Sequence, residues 1–501
     1  MAMAAPLLLL ALDQGTSSSR AALFDTDGRP VASASAPLEI HYPADGWVEQ
    51  SPTAIWESQR LAMSRLEQAI TPEQRQAVIS CGITNQRETT TLWKRSDGSP
   101  CGPALVWQDG RTADLCEQWK ASGLETSWRA KTGLMLDPYF SASKIRWLLD
   151  HETAASSAAA QGDLCFGTVE SWLLWQLSGG TIHATDMSNA SRTLLMDLER
   201  RQWIDDACAE IGLPKQALPE LRPCRGDFGV IQAGLPFAGV PIQALLGDQQ
   251  AATLGQLCLQ PGEGKCTYGT GAFLVVNTGS SIRHSDAGLL STLGWTDEHG
   301  TPTYCLEGSL FNAGTVVQWL RDGLGIIDSA KQSGELAAQA DDNQQVYMIP
   351  AFTGLGAPWW DADARGALIG LTRGTGPAEI SRAALESVCY QTLDLLKAMQ
   401  ADWQQSGDTV LRVDGGMVAS DWTMQRLADI LQSPVDRPII AETTALGAAW
   451  LAGSRAGVWP DQQGFAASWQ LDKNFAPQMP PSERDCKVAG WDNAVKRVLT
   501  Q

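Results

Sequence analysis

The stretch LLLLALDQGTSSSRAALFD, residues 7–25, decides how the chain begins to fold. A signal peptide has a basic flank, an apolar stretch of about 7–15 residues and a small-residue cleavage site. Here no charged residue precedes Asp13 and the apolar run is short, so we interpret it as a buried strand that stays in the mature protein. The polar turn and second apolar run then predict a β-hairpin whose tip offers N–H groups and hydroxyls to a phosphate. Taken alone, the stretch fits an ordinary N-terminal hairpin equally well.

Composition excludes several classes of protein. A chain of 501 residues is too long for one core, so two or more domains are expected. The 37 Lys and Arg residues against 56 Asp and Glu residues give a net charge of −19, which argues against nucleic-acid binding. No apolar run is long enough to insert into a membrane. The 11 cysteines are scattered and never spaced as CxxC, so we expect neither disulfides nor a zinc site, and a cytoplasmic location.

Glycine-rich turns recur along the chain. YGTGAFLVVNTG (268–279) repeats the pattern of turn and apolar strand, and RVDGGMVASD (412–421) is a strand that ends in Asp-Gly-Gly. Such turns let a ligand approach the backbone closely, although each alone is usually only a turn. Neither a Walker nor a GxGxxG motif is present. Short strands alternate with helical patterns, including the small-residue run TALGAAWLAG (444–453), and this predicts α/β layers. The set of three turns resembles the actin/hexokinase/Hsp70 ATPase superfamily.

Polar clusters between these turns narrow the resemblance. GITNQRETTTLW, DPYFS, NASRT, GDQQ and PAFTGLGAPWWD together resemble the FGGY carbohydrate kinases, from about residue 8 to about residue 460. The resemblance implies two ribonuclease-H-like (actin-like ATPase) domains of α/β class with a central cleft between them. It places glycerol and phosphate binding in residues 1–254 and nucleotide binding in residues 255–501. The match is nearest to members that phosphorylate glycerol with ATP and Mg²⁺, and it implies a homodimer or homotetramer.

The resemblance also assigns roles to individual residues. Asp13 matches the aspartate that holds magnesium. The positions that match nucleotide and phosphate contacts are Thr16, Ser17, Ser18, Arg20, Thr270, Gly314, Gln318, Gly416 and Ser420. The positions that match contacts to glycerol are Arg87, Glu88, Trp107, Tyr139, Asp248, Gln249 and Phe273. Two departures from the family pattern stand out: Ser420 replaces a common asparagine, and Gly110 replaces a common arginine close to Trp107.

Elementary chemistry agrees with these roles. Arg87 only donates hydrogen bonds and ionised Glu88 only accepts them, so adjacent they can fix two hydroxyls in opposite senses. Asp248 is our candidate for the base, because a carboxylate can orient the attacking hydroxyl and take its proton in phosphoryl transfer.

Other interpretations remain open from the sequence. Arg87 and Glu88 fit a surface ion pair, Asp248 fits a strand-ending turn, and the aromatic residues fit a core. The alternative functions are an FGGY kinase for another polyol or a ketose, and an actin- or Hsp70-like ATPase that acts through partner binding. The second alternative does not explain NQRE or DPYF.

Overall fold

A computed structural model describes residues 7–297, 299–361, 363–402, 410–440, 442–459, 464–465 and 469–500. The outer ends of the two predicted domains, residues 1–6 and 501, lie outside this range. Two large sheets, one in each half of the chain, are flanked by helices. The predicted α/β class with two actin-like domains is confirmed.

The first half contains thirteen described strands. The large sheet has five strands in the order β13-β5-β1-β2-β3, and the remaining strands form two-stranded pairs. The bounds are β1 (Leu8–Gln14), β2 (Ser18–Asp25), β3 (Pro30–Pro37), β4 (Glu49–Gln50), β5 (Val78–Asn85), β6 (Thr91–Lys94), β7 (Ala104–Leu105), β8 (Leu164–Gly167), β9 (Ala184–Asp186), β10 (Met196–Asp197), β11 (Gln202–Trp203), β12 (Glu220–Arg222) and β13 (Ile242–Gly247).

The opening run is strand β1, as predicted. It pairs antiparallel with β2, which places Asp13 opposite Arg20, and parallel with β5, which places Gln14 opposite Asn85. Strand β13 is also parallel to β5, and its last residue, Gly247, lies opposite Asn85. The carboxyl ends of these three parallel strands therefore meet at one edge of the sheet, where ligands of open α/β sheets bind. Asp13, the segment after Asn85 and Asp248 all belong to that edge.

The second half repeats this topology. Its seven-stranded sheet has the order β16-β17-β15-β14-β20-β21-β22. Strand β14 pairs antiparallel with β15 and parallel with β20, just as β1 pairs with β2 and β5. The bounds are β14 (Gly264–Tyr268), β15 (Ala272–Gly279), β16 (Leu290–Thr296), β17 (Pro302–Leu310), β18 (Tyr347–Ile349), β19 (Ala367–Ile369), β20 (Leu411–Asp414), β21 (Val435–Pro438) and β22 (Leu471–Phe475).

Helices cover the faces of both sheets, and within the described residues none is long and apolar enough to cross a membrane. The bounds are α1 (Pro52–Ala69), α2 (Pro72–Gln76), α3 (Ala113–Ala121), α4 (Leu124–Thr132), α5 (Ser141–His151), α6 (Thr153–Gln161), α7 (Val169–Leu177), α8 (Met187–Ala190), α9 (Asp205–Glu210), α10 (Asp248–Gly255), α11 (Gly314–Gln318), α12 (Ala330–Ala337), α13 (Pro377–Asp402), α14 (Asp421–Leu431), α15 (Thr443–Arg455) and α16 (Pro481–Lys496). Short 3-10 turns span Lys215–Ala217 and Gly416–Ala419, and a π turn spans Trp319–Gly323.

Helix α15 joins the two halves. It belongs to the second half, but it packs on β1, β5 and β13 of the first sheet and crosses α10. Glycines permit this close approach: a methyl group on Gly447 would lie 1.9 Å from the Ala251 carbonyl oxygen, and one on Gly82 would lie 2.2 Å from that of Ala448. An apolar core at this junction contains Leu9 and Trp450. The small-residue run therefore forms a helix packed tightly on a sheet, as predicted.

The cysteines are free thiols, and Cys486 is the exposed one.

Replacing Gly447 by Ala should lower the free energy of unfolding by at least about 1–3 kcal/mol, because the added methyl group overlaps the backbone of α10. The same change at an uncrowded helical site would stabilise the helix by up to about 1 kcal/mol. Urea unfolding of Gly447→Ala measures the effect, with the exposed Arg455→Ala in the same helix as the control. An unchanged or raised midpoint for Gly447→Ala would contradict the close packing of α10 and α15.

Candidate active site

An open cleft lies where the two halves meet. The structure brings all seven predicted glycerol-site residues to its wall, together with the predicted phosphate contacts Thr16 and Thr270. The lining residues are Thr16, Arg87, Glu88, Trp107, Tyr139, Asp248, Gln249, Thr267, Gly269, Thr270, Gly271 and Phe273. The first and second glycine turns therefore face one cavity, although Thr16 and Thr270 are far apart along the chain.

Arg87 and Glu88 are buried, with 2% and 1% of their surface exposed, so they do not form a surface ion pair. They follow β5, and Glu88 has a positive φ of 59°. Arg87 donates hydrogen bonds from Nη1 and Nη2 to the two carboxylate oxygens of Glu307, at 2.5 and 2.8 Å. Glu307 lies on β17 in the second half of the chain. A bidentate ion pair thus crosses between the halves beneath the cavity.

Arg192 completes this buried network. Its Nη2 donates to Glu307 Oε1 at 3.0 Å and its Nε donates to Glu88 Oε1 at 2.5 Å. Burial opposes the ionised form of Glu307, but Arg192 and Arg87 outweigh it and hold the pKa of Glu307 at about 2. For Glu88 burial prevails over Arg192 and Arg87, so its pKa is raised. Because Oε1 of Glu88 contacts Arg192, Oε2 is the oxygen left to accept a hydrogen bond from a ligand.

Asp248 begins α10 directly after β13, at the edge of the sheet. Its Oδ1 lies 3.3 Å from Arg87 Nε and accepts a hydrogen bond from the Gln249 backbone N–H at 2.7 Å. About 28% of the side chain is exposed, so the carboxylate is accessible from the cavity. Burial raises the pKa of Asp248, and Arg87 and Lys265 oppose the rise. A raised pKa makes an ionised carboxylate a better proton acceptor.

Three aromatic rings form the apolar part of the wall. Trp107 packs edge-on against Tyr139, with ring centroids 5.8 Å apart, and against Phe273, at 5.7 Å. Trp107 and Phe273 are only partly buried, so they present apolar surface to the cavity rather than belonging wholly to a core. Trp107 Nε1 donates to the Thr16 hydroxyl at 3.0 Å and so connects this wall to the first phosphate turn.

The loop after Trp107 is held firmly despite Gly110. The Gly110 N–H donates to the Gly46 carbonyl at 2.9 Å. Arg111 pairs with Asp109 at 2.7 Å, and its guanidinium lies 3.8 Å from the centre of the Trp47 ring. These contacts fix the loop without the arginine that is common in the family at position 110.

Asp13 lies among other charges at the first turn. Burial raises its pKa to about 7; Arg20 opposes this, whereas the carboxylates of Asp248 and Glu442 reinforce it. Arg20 forms an ion pair with Glu442 at 2.8 Å. Excess negative charge at the mouth of a phosphate turn favours a cation. Within the described ranges no three His, Cys, Asp or Glu residues form a metal-binding group. Mg²⁺ does not need one, since it commonly uses one or two carboxylates, phosphates and waters.

The remaining predicted nucleotide contacts surround the second and third turns. The Gly314 N–H donates to the Gly269 carbonyl at 2.8 Å, and a methyl group on Gly314 would lie 2.6 Å from that oxygen. Gln318 ends the same helix, α11. Gly415 (φ +92°) packs against the backbone of Tyr268 and places Gly416 beside the second turn. Other predicted contacts lie outside the cavity wall: Ser17 is exposed at the tip of the first turn, and Ser18 begins β2.

Ser420 is the N-cap of α14. Its hydroxyl oxygen accepts hydrogen bonds from the Thr423 backbone N–H at 3.2 Å and from the Thr423 hydroxyl at 2.8 Å. This accounts for a serine at a position where the family commonly has asparagine, since both residues are good helix caps. A contact between Ser420 and a nucleotide stays a prediction.

Sequence reasoning missed three charged residues beside the cavity: Glu307, Arg192 and Lys265. Each is completely buried. The available signal was a charge inside an otherwise apolar strand, as in TYCLEGSLF (303–311) and GEGKCTY (262–268), because buried charges are almost always paired. Arg192 belongs to the NASRT motif, but the family resemblance assigns it no contact with a ligand.

The fold and site define a phosphoryl-transfer enzyme with two actin-like domains, and comparisons identify its family. Residues 8–255 match the N-terminal domain, and residues 264–456 the C-terminal domain, of the FGGY family of carbohydrate kinases. The chain belongs to this family.

Individual relatives extend over the whole chain. The chain is 53% identical to glycerol kinase of Rhizobium meliloti (strain 1021) over 494 residues, which are 98% of this chain and 99% of that protein. The structure of Plasmodium falciparum glycerol kinase with ADP is 32% identical, covers 99% of both chains and superimposes with a TM-score of 0.90. Gluconate kinase from Lactobacillus acidophilus shares the fold, with a TM-score of 0.86 at 20% identity and 98% coverage of both chains.

Replacing Glu307 by Gln should destabilise the protein by about 3–5 kcal/mol, because two buried arginines lose their common counter-charge. Thermal and urea unfolding measure this effect. Lys473→Met provides the control, since Lys473 pairs with Asp421 at 2.7 Å on the surface and such pairs contribute about 0–1 kcal/mol. Equal losses of stability in the two variants would refute the importance of the buried network.

Proposed function

We propose that this protein transfers the γ-phosphoryl group of ATP to glycerol, forming sn-glycerol 3-phosphate and ADP in glycerol catabolism. One observation carries the proposal: all seven residues that match the family's glycerol contacts line a single cavity, together with the phosphate contacts Thr16 and Thr270. The identity to glycerol kinases over almost the full chain supports the same substrate. We assign most of the glycerol and phosphate contacts to residues 1–254 and nucleotide binding to residues 255–501, which also add Phe273 and Thr270 to the cavity wall.

The cavity suits a small polyol. Glycerol has three hydroxyls, each of which donates and accepts, and a short carbon chain. Arg87 can donate a hydrogen bond to a glycerol hydroxyl from its Nε edge, and Glu88 Oε2 and Asp248 can accept one. The Tyr139 hydroxyl can donate and accept. Trp107 and Phe273 supply an apolar surface for the carbon atoms. The polar groups hold the hydroxyls and the rings exclude water from the reacting oxygen.

Asp248 acts as the base in this proposal. It orients the terminal hydroxyl of glycerol and takes its proton as the oxygen attacks the γ-phosphorus. The new O–P bond forms while the bond between the γ-phosphorus and the β–γ bridging oxygen breaks, and ADP leaves with that electron pair. No covalent intermediate with the protein is required, since positioning and charge stabilisation account for most of the catalysis in phosphoryl transfer.

The two phosphate turns and their surroundings fit ATP with Mg²⁺. In this proposal Asp13 holds Mg²⁺, largely through water, and the metal supplies positive charge that offsets the phosphate charge. Thr16, Ser17, Ser18, Arg20 and Thr270 contact the phosphates, whereas Gly314, Gln318, Gly416 and Ser420 contact the rest of the nucleotide. Thr16 is suited to donate, because Trp107 already donates to its oxygen. The cytoplasmic location and the homodimeric or homotetrameric assembly stay predictions.

A coupled assay of ADP release tests the proposal. The purified protein is supplied with ATP, Mg²⁺ and, in turn, glycerol, dihydroxyacetone, xylulose, ribulose and gluconate. We expect the highest kcat/KM on glycerol. A higher value on any other member of the panel would replace glycerol as the substrate, and ADP release that no member of the panel stimulates would favour an ATPase that acts through partner binding.

Asp248→Asn should lower kcat by about 10²–10⁴-fold, because the amide keeps the shape of the carboxylate but cannot accept the proton. Glycerol binding, measured by calorimetry, should persist. Asp97→Asn, at an exposed turn, serves as the matched control and should retain full turnover. If Asp248→Asn retains at least half of the wild-type turnover at saturating substrate, Asp248 is not the base.

Glycerol should be strongly preferred over 1,2-propanediol, which lacks one hydroxyl. Without that group a buried donor or acceptor at Arg87, Glu88 or Tyr139 stays unpaired, and such sites reject analogues by up to ~10⁴-fold. Steady-state kcat/KM values for the two substrates measure the preference. Similar efficiencies would show that the hydroxyls are not recognised by these side chains.

A further inference from the structure

Lys265 lies on β14 beneath the wall of the cavity, completely buried. Its ammonium group donates to the side-chain oxygen of Gln249 at 2.5 Å and to the hydroxyl oxygen of Thr267 at 2.7 Å. Both acceptors line the cavity beside Asp248. Gln249 comes from the first half of the chain and Thr267 from the second, so Lys265 holds one side chain from each half.

The chemistry of an ammonium group determines how Gln249 is oriented. Lys265 can only donate, so the atom of Gln249 that faces it must be Oε1, and the NH₂ group must point away from Lys265. Gln249 is buried against the cavity, with 5% of its surface exposed. Its side chain therefore presents two donor hydrogens toward a ligand, although an unconstrained glutamine could present either end.

Thr267 is constrained in the same way. Because its oxygen accepts from Lys265, its own hydroxyl hydrogen must point elsewhere, and the cavity lies on its exposed side. The opposite wall repeats the arrangement: Trp107 Nε1 donates to Thr16, which leaves the Thr16 hydrogen available. In both cases a strict donor on the hydroxyl oxygen turns the hydroxyl hydrogen away from that donor, so the hydrogen can be donated to a ligand in the cavity.

We infer that Lys265 is a positioning residue that orients Gln249 and Thr267 to donate hydrogen bonds into the cavity, Gln249 to a polyol oxygen and Thr267 to the transferred phosphoryl group. The inference rests on the proposed function for the identity of the ligands. This role explains why a buried cation lies beside the cavity. The net charge of −19 repels a phosphoryl group, so the site needs local hydrogen-bond donors, and Lys265 orients two of them.

A purely structural role for Lys265 predicts a different outcome. Asp414 and Asp248 lie near enough to favour its charged form, although burial is the larger influence and lowers the pKa of Lys265. If Lys265 only balanced these carboxylates, its removal would reduce stability without acting through Gln249 or Thr267. A double-mutant cycle separates the two cases, because residues that act as a unit show non-additive effects.

The cycle consists of Lys265→Met, Thr267→Val and the double variant in the full-length protein. It is measured on the member of the assay panel that the wild type uses best, so that failure of the glycerol assignment and failure of this inference give separate results. We expect Lys265→Met to lower kcat/KM by about 10- to 100-fold, and the double variant to be no worse than about twofold below the poorer single variant. Losses that multiply would overturn the inference.

Two further variants complete the test. Gln249→Glu keeps an oxygen for Lys265 but removes the donating NH₂ group, so it tests the inference even if Lys265→Met does not fold. We expect an increase in KM for the polyol of about 10-fold or more, with little change in KM for ATP. A KM for the polyol within twofold of wild type would overturn the inference. Arg382→Met removes a buried cation that donates to the Asp341 carbonyl and does not line the cavity, and should change thermal stability but neither KM.

Discussion

The bidentate ion pair between Arg87 and Glu307 is the contact on which the rest of the site depends. Its partners are 220 residues apart in the chain and belong to different halves of the molecule. A buried charge is tolerated only when its partner is held in place, so the pair requires that the two halves pack in one arrangement. The glycine contacts between α10 and α15 provide that arrangement, since they bring the backbones of the two halves together just behind the cavity. Close backbone packing and the buried ion pair therefore stabilise the same junction between the two halves.

This pair also determines which atoms a ligand can meet. Glu307 occupies both terminal nitrogens of Arg87, and the Nε edge lies beside Asp248. Arg192 occupies one oxygen of Glu88. The family resemblance names Arg87 and Glu88 as glycerol contacts, but the buried network beneath them determines which of their hydrogen-bonding atoms face the cavity. The polarity of the cavity is therefore set by side chains that do not touch the ligand, as is usual where a site must be fixed to within about half an ångström.

Sequence reasoning predicted the parts of this structure that depend on local pattern. The first hairpin, the three glycine turns and the small-residue helix each carry a signal in a short window, and the structure contains each of them. The convergence of Asp13, Arg87 and Asp248 was predicted only by family resemblance, because parallel strand pairing joins segments with no local signal for their register. Glu307, Arg192 and Lys265 were missed for a related reason. Each looks in sequence like an isolated charge, and its function depends on partners that only the assembled sheets bring within reach.

A chain of net charge −19 that handles phosphate must solve a local electrostatic problem. At the first turn the carboxylates of Asp13, Asp248 and Glu442 add negative charge where a phosphate would bind, and the proposed Mg²⁺ would offset that charge. At the second turn the proposed relief comes from neutral donors: the backbone N–H groups of Thr270 and Gly271, since that of Gly269 bonds within the turn, and the Thr267 hydroxyl, which Lys265 holds from beneath. A neutral donor adds no charge to the one that Arg87 already places beside Asp248, whose pKa burial keeps raised, whereas a lysine at the cavity surface would add a second cation there. Burying the cation one layer below the wall therefore lets one cavity attract a phosphoryl group and still retain a basic carboxylate.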